Sequence, residues 1–159
     1  MSALPDLETR LIDDHHDSLR LWLRLLSCSN LIQLRIRKAM ASRFKTTLPR
    51  FDLMAQLERA PDGLQMGELS RRMLVTGGNI TGIADQLERT GLILRAVDPD
   101  DRRAYRITLT REGRRVFAQM AAEHERWIAE IFDGLNARDK RTLHELLSRL
   151  RVSLRGGEE

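Results

Sequence analysis

Residues 66–109 decide the fold, and they read Met66-Gly-Glu-Leu-Ser-Arg-Arg-Met73, Leu74-Val-Thr-Gly-Gly78, Asn79-Ile-Thr-Gly-Ile-Ala-Asp-Gln-Leu-Glu-Arg-Thr90, Gly91, Leu92-Ile-Leu-Arg-Ala-Val97, Asp98-Pro-Asp-Asp-Arg-Arg103, Ala104 and Tyr105-Arg-Ile-Thr-Leu109. The first segment carries Leu69 and Met73 one turn apart, the inward edge of a short helix. Residues 74–78 form a turn by composition. In Asn79–Thr90, Ile80, Ile83, Ala84 and Leu87 make one apolar stripe at helical spacing, and Gly91 stands where a left-handed residue ends a helix. Leu92–Val97 and Tyr105–Leu109 alternate with period two, so residues 98–103 read as the charged tip of a hairpin.

Upstream, no Pro or Gly interrupts Asp17 to about Thr46, where Leu19, Leu23, Leu26, Ile32, Ile36, Met40 and Phe44 keep helical spacing. Leu48-Pro49 breaks that helix, and Pro49 opens a second one through Phe51, Met54 and Leu57, closed by Ala60-Pro-Asp-Gly63. Downstream, Thr110-Arg-Glu-Gly113 opens a long helix that is apolar over a broad face, from Val116 and Phe117 to Ile131. A last helix starts at Asn136, with Asp139 three residues on as in a capping box, and carries Leu143, Leu146, Leu147, Leu150 and Leu154. The expected class is mainly α with a small β-hairpin wing. Its organisation is an N-terminal dimerisation helix region (1–48), a winged helix-turn-helix lobe (49–112) and C-terminal dimerisation helices (113–159), integrated as one domain.

Composition narrows the partners. Apolar residues are 42% but aromatics only 4%, so the core is built from aliphatic side chains, which favours helices. The net charge of +4 with a pI near 10.0 points to a polyanion. Of the 27 basic residues only Lys38, Lys45 and Lys140 are lysine, and arginine is the side chain that reads phosphate and base edges with two donors. Residues 25–50 hold Arg35, Arg37, Lys38, Arg43, Lys45 and Arg50 and no acid. A single Cys28, no apolar run of membrane length and an acidic N-terminus without a leader pattern predict a cytoplasmic protein with no membrane partner.

Helix, turn, helix, strand, charged tip, strand is the order of a winged helix-turn-helix. A helix about 10–12 Å across fits a major groove, and a hairpin beside it reaches the neighbouring minor groove. The polar face of residues 79–89 presents Asn79, Thr81 and Gln86, with Asp85 and Arg89 beside them; Asn79 suits an adenine edge and Thr81 a thymine methyl. Thr76 stands at the expected cap, where a helix N-terminus meets a phosphate. Gly77, Gly78 and Gly82 leave room for a duplex to approach. Arg71 and Arg72 on the preceding helix are placed for phosphate contacts that set register. Arg102 and Arg103 at the tip suit a narrow, electronegative minor groove.

The run Leu69-Ser-Arg-Arg72, Thr76-Gly-Gly-Asn-Ile-Thr81, Gln86-Leu-Glu-Arg-Thr-Gly-Leu92, Asp98-Pro-Asp-Asp-Arg-Arg103, Leu109-Thr110 and Gly113 resembles the MarR family of bacterial regulators across about residues 50–115. The resemblance implies an obligate homodimer interlocked through its first and last helices. It also implies a palindromic operator in double-stranded DNA and an effector crevice between the dimerisation helices and the DNA-binding lobe. On matching positions it places Asn79 and Thr81 on the recognition helix and Arg102 and Arg103 on the wing, with Asp98 or Asp101 as their salt-bridge partner. The leucine stripes of the terminal helices independently expect a dimer, because a monomer of this length does not cover them.

Trp22, Leu26, Phe51, Met54, His124 and Trp127 lie on the helices that would wall that crevice, a lining suited to a small aromatic effector. The stretches around Trp22–Asn30 and Leu48–Leu57 are similar to family members that sense aromatic acids or aromatic acyl-CoA thioesters. Arg35, Arg43 and Arg50 would take the phosphates of such a thioester. The sequence thus points to a repressor that its effector releases from DNA. Two alternatives remain open: a redox-sensing regulator acting through Cys28, and an architectural DNA-binding protein with no effector. A cysteine buried among leucines is inert, and the only tyrosine, Tyr105, is in the wing. No cofactor or metal is expected: in Asp14-His-His-Asp17 the adjacent histidines diverge by about 100° on a helix, and the run reads as a polar cap. A phosphate-binding glycine loop, a nucleophile elbow and a zinc-protease motif are all missing, so an enzyme is not expected.

Overall fold

A computed structural model describes residues 16–73 and 77–156. The elements run α1 (Asp17–Phe44), α2 (Leu48–Glu58), β1 (Leu64–Gln65), α3 (Met66–Met73), α4 (Gly77–Arg89), β2 (Ile93–Val97), β3 (Tyr105–Leu109), α5 (Arg111–Ile131) and α6 (Ala137–Arg155). The chain divides into two units, Met1–Ala121 and Ala122–Glu159, and the division falls within α5.

Local chemistry sets the helix ends. Lys45, at φ 52°, closes α1 in the left-handed region. Thr47 caps α2 by accepting from Arg50 N–H, and Pro49 occupies the first turn, where no donor is needed. Asn136 caps α6 by accepting from Asp139 N–H at 2.9 Å. His16 occupies the cap position of α1 but forms no side-chain cap hydrogen bond, so the polar cap expected from residues 14–17 is not made by this side chain. Asp14 and His15 lie outside the described residues.

The first unit is built around the helix-turn-helix. Phe51, Leu53, Met54 and Leu57 of α2, Leu69 of α3, and Ile80, Ala84 and Leu87 of α4 are buried, as are Ile93, Ile107 and Leu109 of the hairpin. Helical stripes and a period-two strand face thus meet in one aliphatic core. The sheet has three antiparallel strands in the order β1-β3-β2, with Leu64 opposite Ile107 and Ile93 opposite Leu109. Sequence periodicity anticipates β2 and β3 but not β1, because two residues carry no period.

Of the 28 residues of α1, only Ile36 and Met40 are buried. In the second unit α6 buries none, and Leu143, Leu146, Leu147, Leu150 and Leu154 are all exposed.

The wing root and the start of α5 are locked together. Thr110 N–H donates to Leu92 O (3.0 Å) and its hydroxyl donates to Gly91 O (2.7 Å), while the same oxygen accepts from Gly113 N–H (2.9 Å). The backbones approach so closely that a Cβ on Gly113 would stand 2.0 Å from Leu92 O. Gly113→Ala is therefore expected to force main-chain movement and cost about 2 kcal/mol or more, as over-packing does. Chemical denaturation of the two proteins measures it, and equal midpoints would contradict the account.

Candidate nucleic-acid interface

The polar face of α4 follows from its apolar one. Because Ile80, Ala84 and Leu87 face the core, Asn79, Thr81, Gly82, Gln86 and Arg89 are carried to the outside, and all five are exposed. Its chain neighbours and its own helix backbone aside, no heavy atom of the described residues lies within 4 Å of where a Gly82 Cβ would be. Arg71 and Arg72 are exposed on α3, and Arg72 is paired with Glu68 at 2.6 Å. Thr76 lies outside the described residues.

At the other end of the lobe the hairpin tip is shaped by its acids. Asp98 Oδ1 accepts from Asp100 N–H (2.8 Å) and Asp101 Oδ1 from Arg103 N–H (2.9 Å), two side-chain turns that mimic backbone turns. Arg102 and Arg103 are exposed and take part in none of the ion pairs found among the described residues.

The wing salt bridge therefore differs from expectation. Asp98 is fully buried, and its partner is Arg106 of β3 (Nη2 to Oδ2, 3.0 Å), not Arg102 or Arg103. Gln65 of β1 donates to the same oxygen at 2.8 Å. Asp101 serves as a turn former rather than as an ion-pair partner. The physical reason is register. Arg106 lies opposite Gln65 across the β1–β3 ladder, so both side chains converge on the carboxylate at the end of β2, whereas residues 102 and 103 are beyond the last paired rung. Sequence reading missed Arg106 and Gln65. The one legible signal was an arginine between the apolar positions of β3, which needs a partner when half-buried.

Asp85, expected among the outward residues, is also engaged: Arg95 of β2 donates to it at 2.5 Å.

The residues expected to line an effector crevice are only partly together. Arg43 in the last turn of α1 and Arg50 in the first turn of α2 flank one short connection. Arg50 is half-buried, with its Nε buried and without a hydrogen-bond partner. Phe51 and Met54 are packed core rather than open wall; Phe51 stacks on Phe117 with ring centroids 5.4 Å apart. Trp22 and Leu26 are exposed on α1, and at 1.5 Å per residue Trp22 stands roughly 33 Å along the axis from Phe44, the end of α1 that leads into α2 and Phe51. Arg35 is exposed, and His124 and Trp127 are half-buried on the part of α5 that belongs to the second unit. Cys28, expected as a buried thiol, is exposed on α1.

A family model described as MarR family matches residues 45–104. The transcriptional activatory protein BadR of Rhodopseudomonas palustris is 30% identical over 132 residues, 80% of this chain and 75% of that protein. This chain belongs to the MarR family. The regulator PecS of Dickeya dadantii is similar at 28% identity over 115 residues, 71% of this chain and 69% of that one. A crystal structure of a MarR family transcriptional regulator from Silicibacter pomeroyi superposes with a TM-score of 0.76 at 30% identity, over 91% of this chain and 99% of that one. This MarR-family chain is a DNA-binding transcription regulator and not an enzyme. No helix among the described residues is long and apolar enough to cross a membrane.

The Asp98 cluster gives the interface an acid limit. The Gln65 hydrogen bond, then the Asp100 N–H and the Arg106 guanidinium, hold its carboxyl below the ordinary carboxylate pKa, outweighing the burial that pushes it up. A group whose folded pKa is lowered contributes stability that is complete above the unfolded value, near about 4, and lost as pH falls through the folded one. Asp98→Asn is thus expected to be less stable than the parent at neutral pH, with the gap closing below about pH 4. Urea titrations of both proteins across pH test this, and a gap that widens in acid would refute it.

Proposed function

We propose that this regulator is a homodimer that binds a palindromic operator and is released from it by a small aromatic effector or the CoA thioester of one, acting as a repressor. The observation that carries the DNA-contact assignment is the pairing, within one unit, of an exposed polar helix face with an arginine-bearing tip. Asn79, Thr81 and Gln86 are the assigned base readers in the major groove, Arg102 and Arg103 the minor-groove contacts, and Arg71, Arg72 and Thr76 the phosphate contacts. The uncovered leucine faces of α1 and α6 support dimerisation through both terminal regions, which is how a two-fold operator is matched.

Support for an anionic aromatic effector is narrower. Arg50 keeps a buried donor unpaired and belongs to the acid-free basic stretch 25–50 that also holds Arg35 and Arg43, donors suited to a phosphate or carboxylate. BadR, a similar protein, is named an activator, so activation is the second reading. Operator position relative to the promoter, rather than the shape of the lobe, sets the sign, and a reporter with and without the gene separates the two.

Selection of duplexes from a random pool, followed by anisotropy titration, tests the core of the proposal. The selected duplex is expected to be a palindrome bound about 10³-fold more tightly than bulk DNA. Replacing Arg102 and Arg103 by Ala should weaken binding about tenfold, most at A·T-rich flanks, and Asn79→Ala should relax preference at one base position per half-site. Equal affinity for every duplex would reduce the protein to an architectural binder. Titration with hydroxycinnamoyl-CoA and the free acids tests the effector, and a DNA complex indifferent to all of them removes that part of the proposal.

Gly82→Ala separates readout from folding. An interior helical glycine costs about 1 kcal/mol relative to alanine, and here the added methyl meets no side chain of the described residues outside its immediate neighbours. The variant is expected to melt higher yet bind the selected duplex more weakly. Unchanged affinity would mean that the duplex does not approach this face closely.

A further inference from the structure

Arg95 is the one arginine of β2, and its fork spans two carboxylates on a neighbouring helix. Nη2 donates to Asp85 Oδ1 at 2.5 Å, and Nη1 stands 3.6 Å from Glu88 Oε2. Asp85 and Glu88 are three residues apart on α4, so they are stacked on one edge of that helix. Arg95 occupies the same strand face as the buried Ile93, and less than a quarter of its side chain is exposed. Its Nε is buried without a partner, so the guanidinium is drawn inward at the expense of one donor.

This clasp joins the two parts assigned to different grooves. Arg95 sits on the strand that ends at the hairpin tip, and its two partners sit on the helix that presents Asn79 and Gln86. The covalent link between them is Thr90-Gly91-Leu92, whose N–H groups donate to the Gln86, Glu88 and Leu87 carbonyls and so tie the root of the hairpin to the end of α4. Arg95 adds side-chain contacts between β2 and α4 beyond that root. There the fork, hydrogen-bonded to Asp85 and in a longer ion pair with Glu88, resists bending of the strand away from the helix. A lysine at this position would hold one carboxylate at a time.

We propose that Arg95 is a positioning residue that fixes the wing relative to α4 and so sets how strictly the protein measures the spacing between its major-groove core and its minor-groove flank. It rests on the DNA contacts proposed above. Because its charge is already matched by two carboxylates, Arg95 adds nothing to the phosphate count.

The test uses the full-length protein and duplexes derived from the selected one, in which the A·T-rich flank is moved by one base pair relative to the core. That shift displaces the flank about 3.4 Å along the axis and rotates it by roughly a tenth of a turn. The parent is expected to lose about tenfold in affinity on the shifted duplex. Arg95→Met, and separately D85N/E88Q, should lose less than about threefold, with R95K between them. Should Arg95→Met fail to fold by circular dichroism, the other two variants retain the side-chain stem and carry the comparison. The slope of log affinity against log salt should be the same for parent and variants.

A variant set that keeps the parent's full penalty overturns the inference, as does a parent that shows no penalty. A salt slope reduced by about 1 in Arg95→Met would make Arg95 a phosphate contact instead and overturn it equally. A parent that prefers no duplex would sink the proposed DNA contacts themselves, which is a distinct result.

Discussion

A carboxylate without access to water must have its lone pairs occupied, and the wing of this protein is organised around one that does. Asp98 has no exposed surface and accepts from Gln65, from Arg106 and from the main chain of Asp100. Those donors belong to three separate stretches of chain: the two-residue strand β1, the returning strand β3 and the turn itself. Removing any one leaves a buried charge short of a partner, which costs more than the bond contributes while intact. The cluster therefore behaves as a unit. Two five-residue strands are too few to hold a hairpin in water alone, and this hub together with the core contacts of Ile93, Ile107 and Leu109 supplies the missing constraint.

The helices were legible because their signals are local and redundant. Ile80, Ala84 and Leu87 announce a buried stripe, Pro49 and Asn136 announce helix starts, and Gly91 announces an end. The period-two segments located β2 and β3 within a residue. What escaped the sequence was pairing across distance. That Asp98 would find Arg106 rather than the adjacent Arg102 or Arg103 depends on strand register and on β1, which is too short to carry any pattern. The Arg95 clasp was partly legible, since an arginine on the inward face of a strand demands compensation, but the identity of its partners came only with the helix placed beside it. Helix membership also does not reveal separation along a helix: Trp22 and Leu26 lie far along α1 from its junction with α2.

The two terminal regions differ from the lobe in kind. Among the described residues of the lobe most large aliphatic side chains are buried, Leu94 and Val97 being exposed, while along most of α1 and all of α6 the aliphatic side chains are exposed. Helices of 28 and 19 residues with these sequences owe little to propensity alone, and packing of an apolar face is what ordinarily holds such segments. Folding of these regions and association are in that sense one event under the homodimer reading, so stability should be stated at a given protein concentration.

The empty space around Gly82 has a consequence for how such proteins diversify. Most positions near a structured surface are constrained twice, by what they touch inside and by what they meet outside; at this one an added Cβ meets no side chain, and the inner constraint is only that of a helix. A lineage could try good helix-forming side chains there at little cost to the scaffold, and each trial would alter mainly the shape offered to the partner. Positions of this sort are where a duplicated gene can drift toward a new target while its parent keeps the old one.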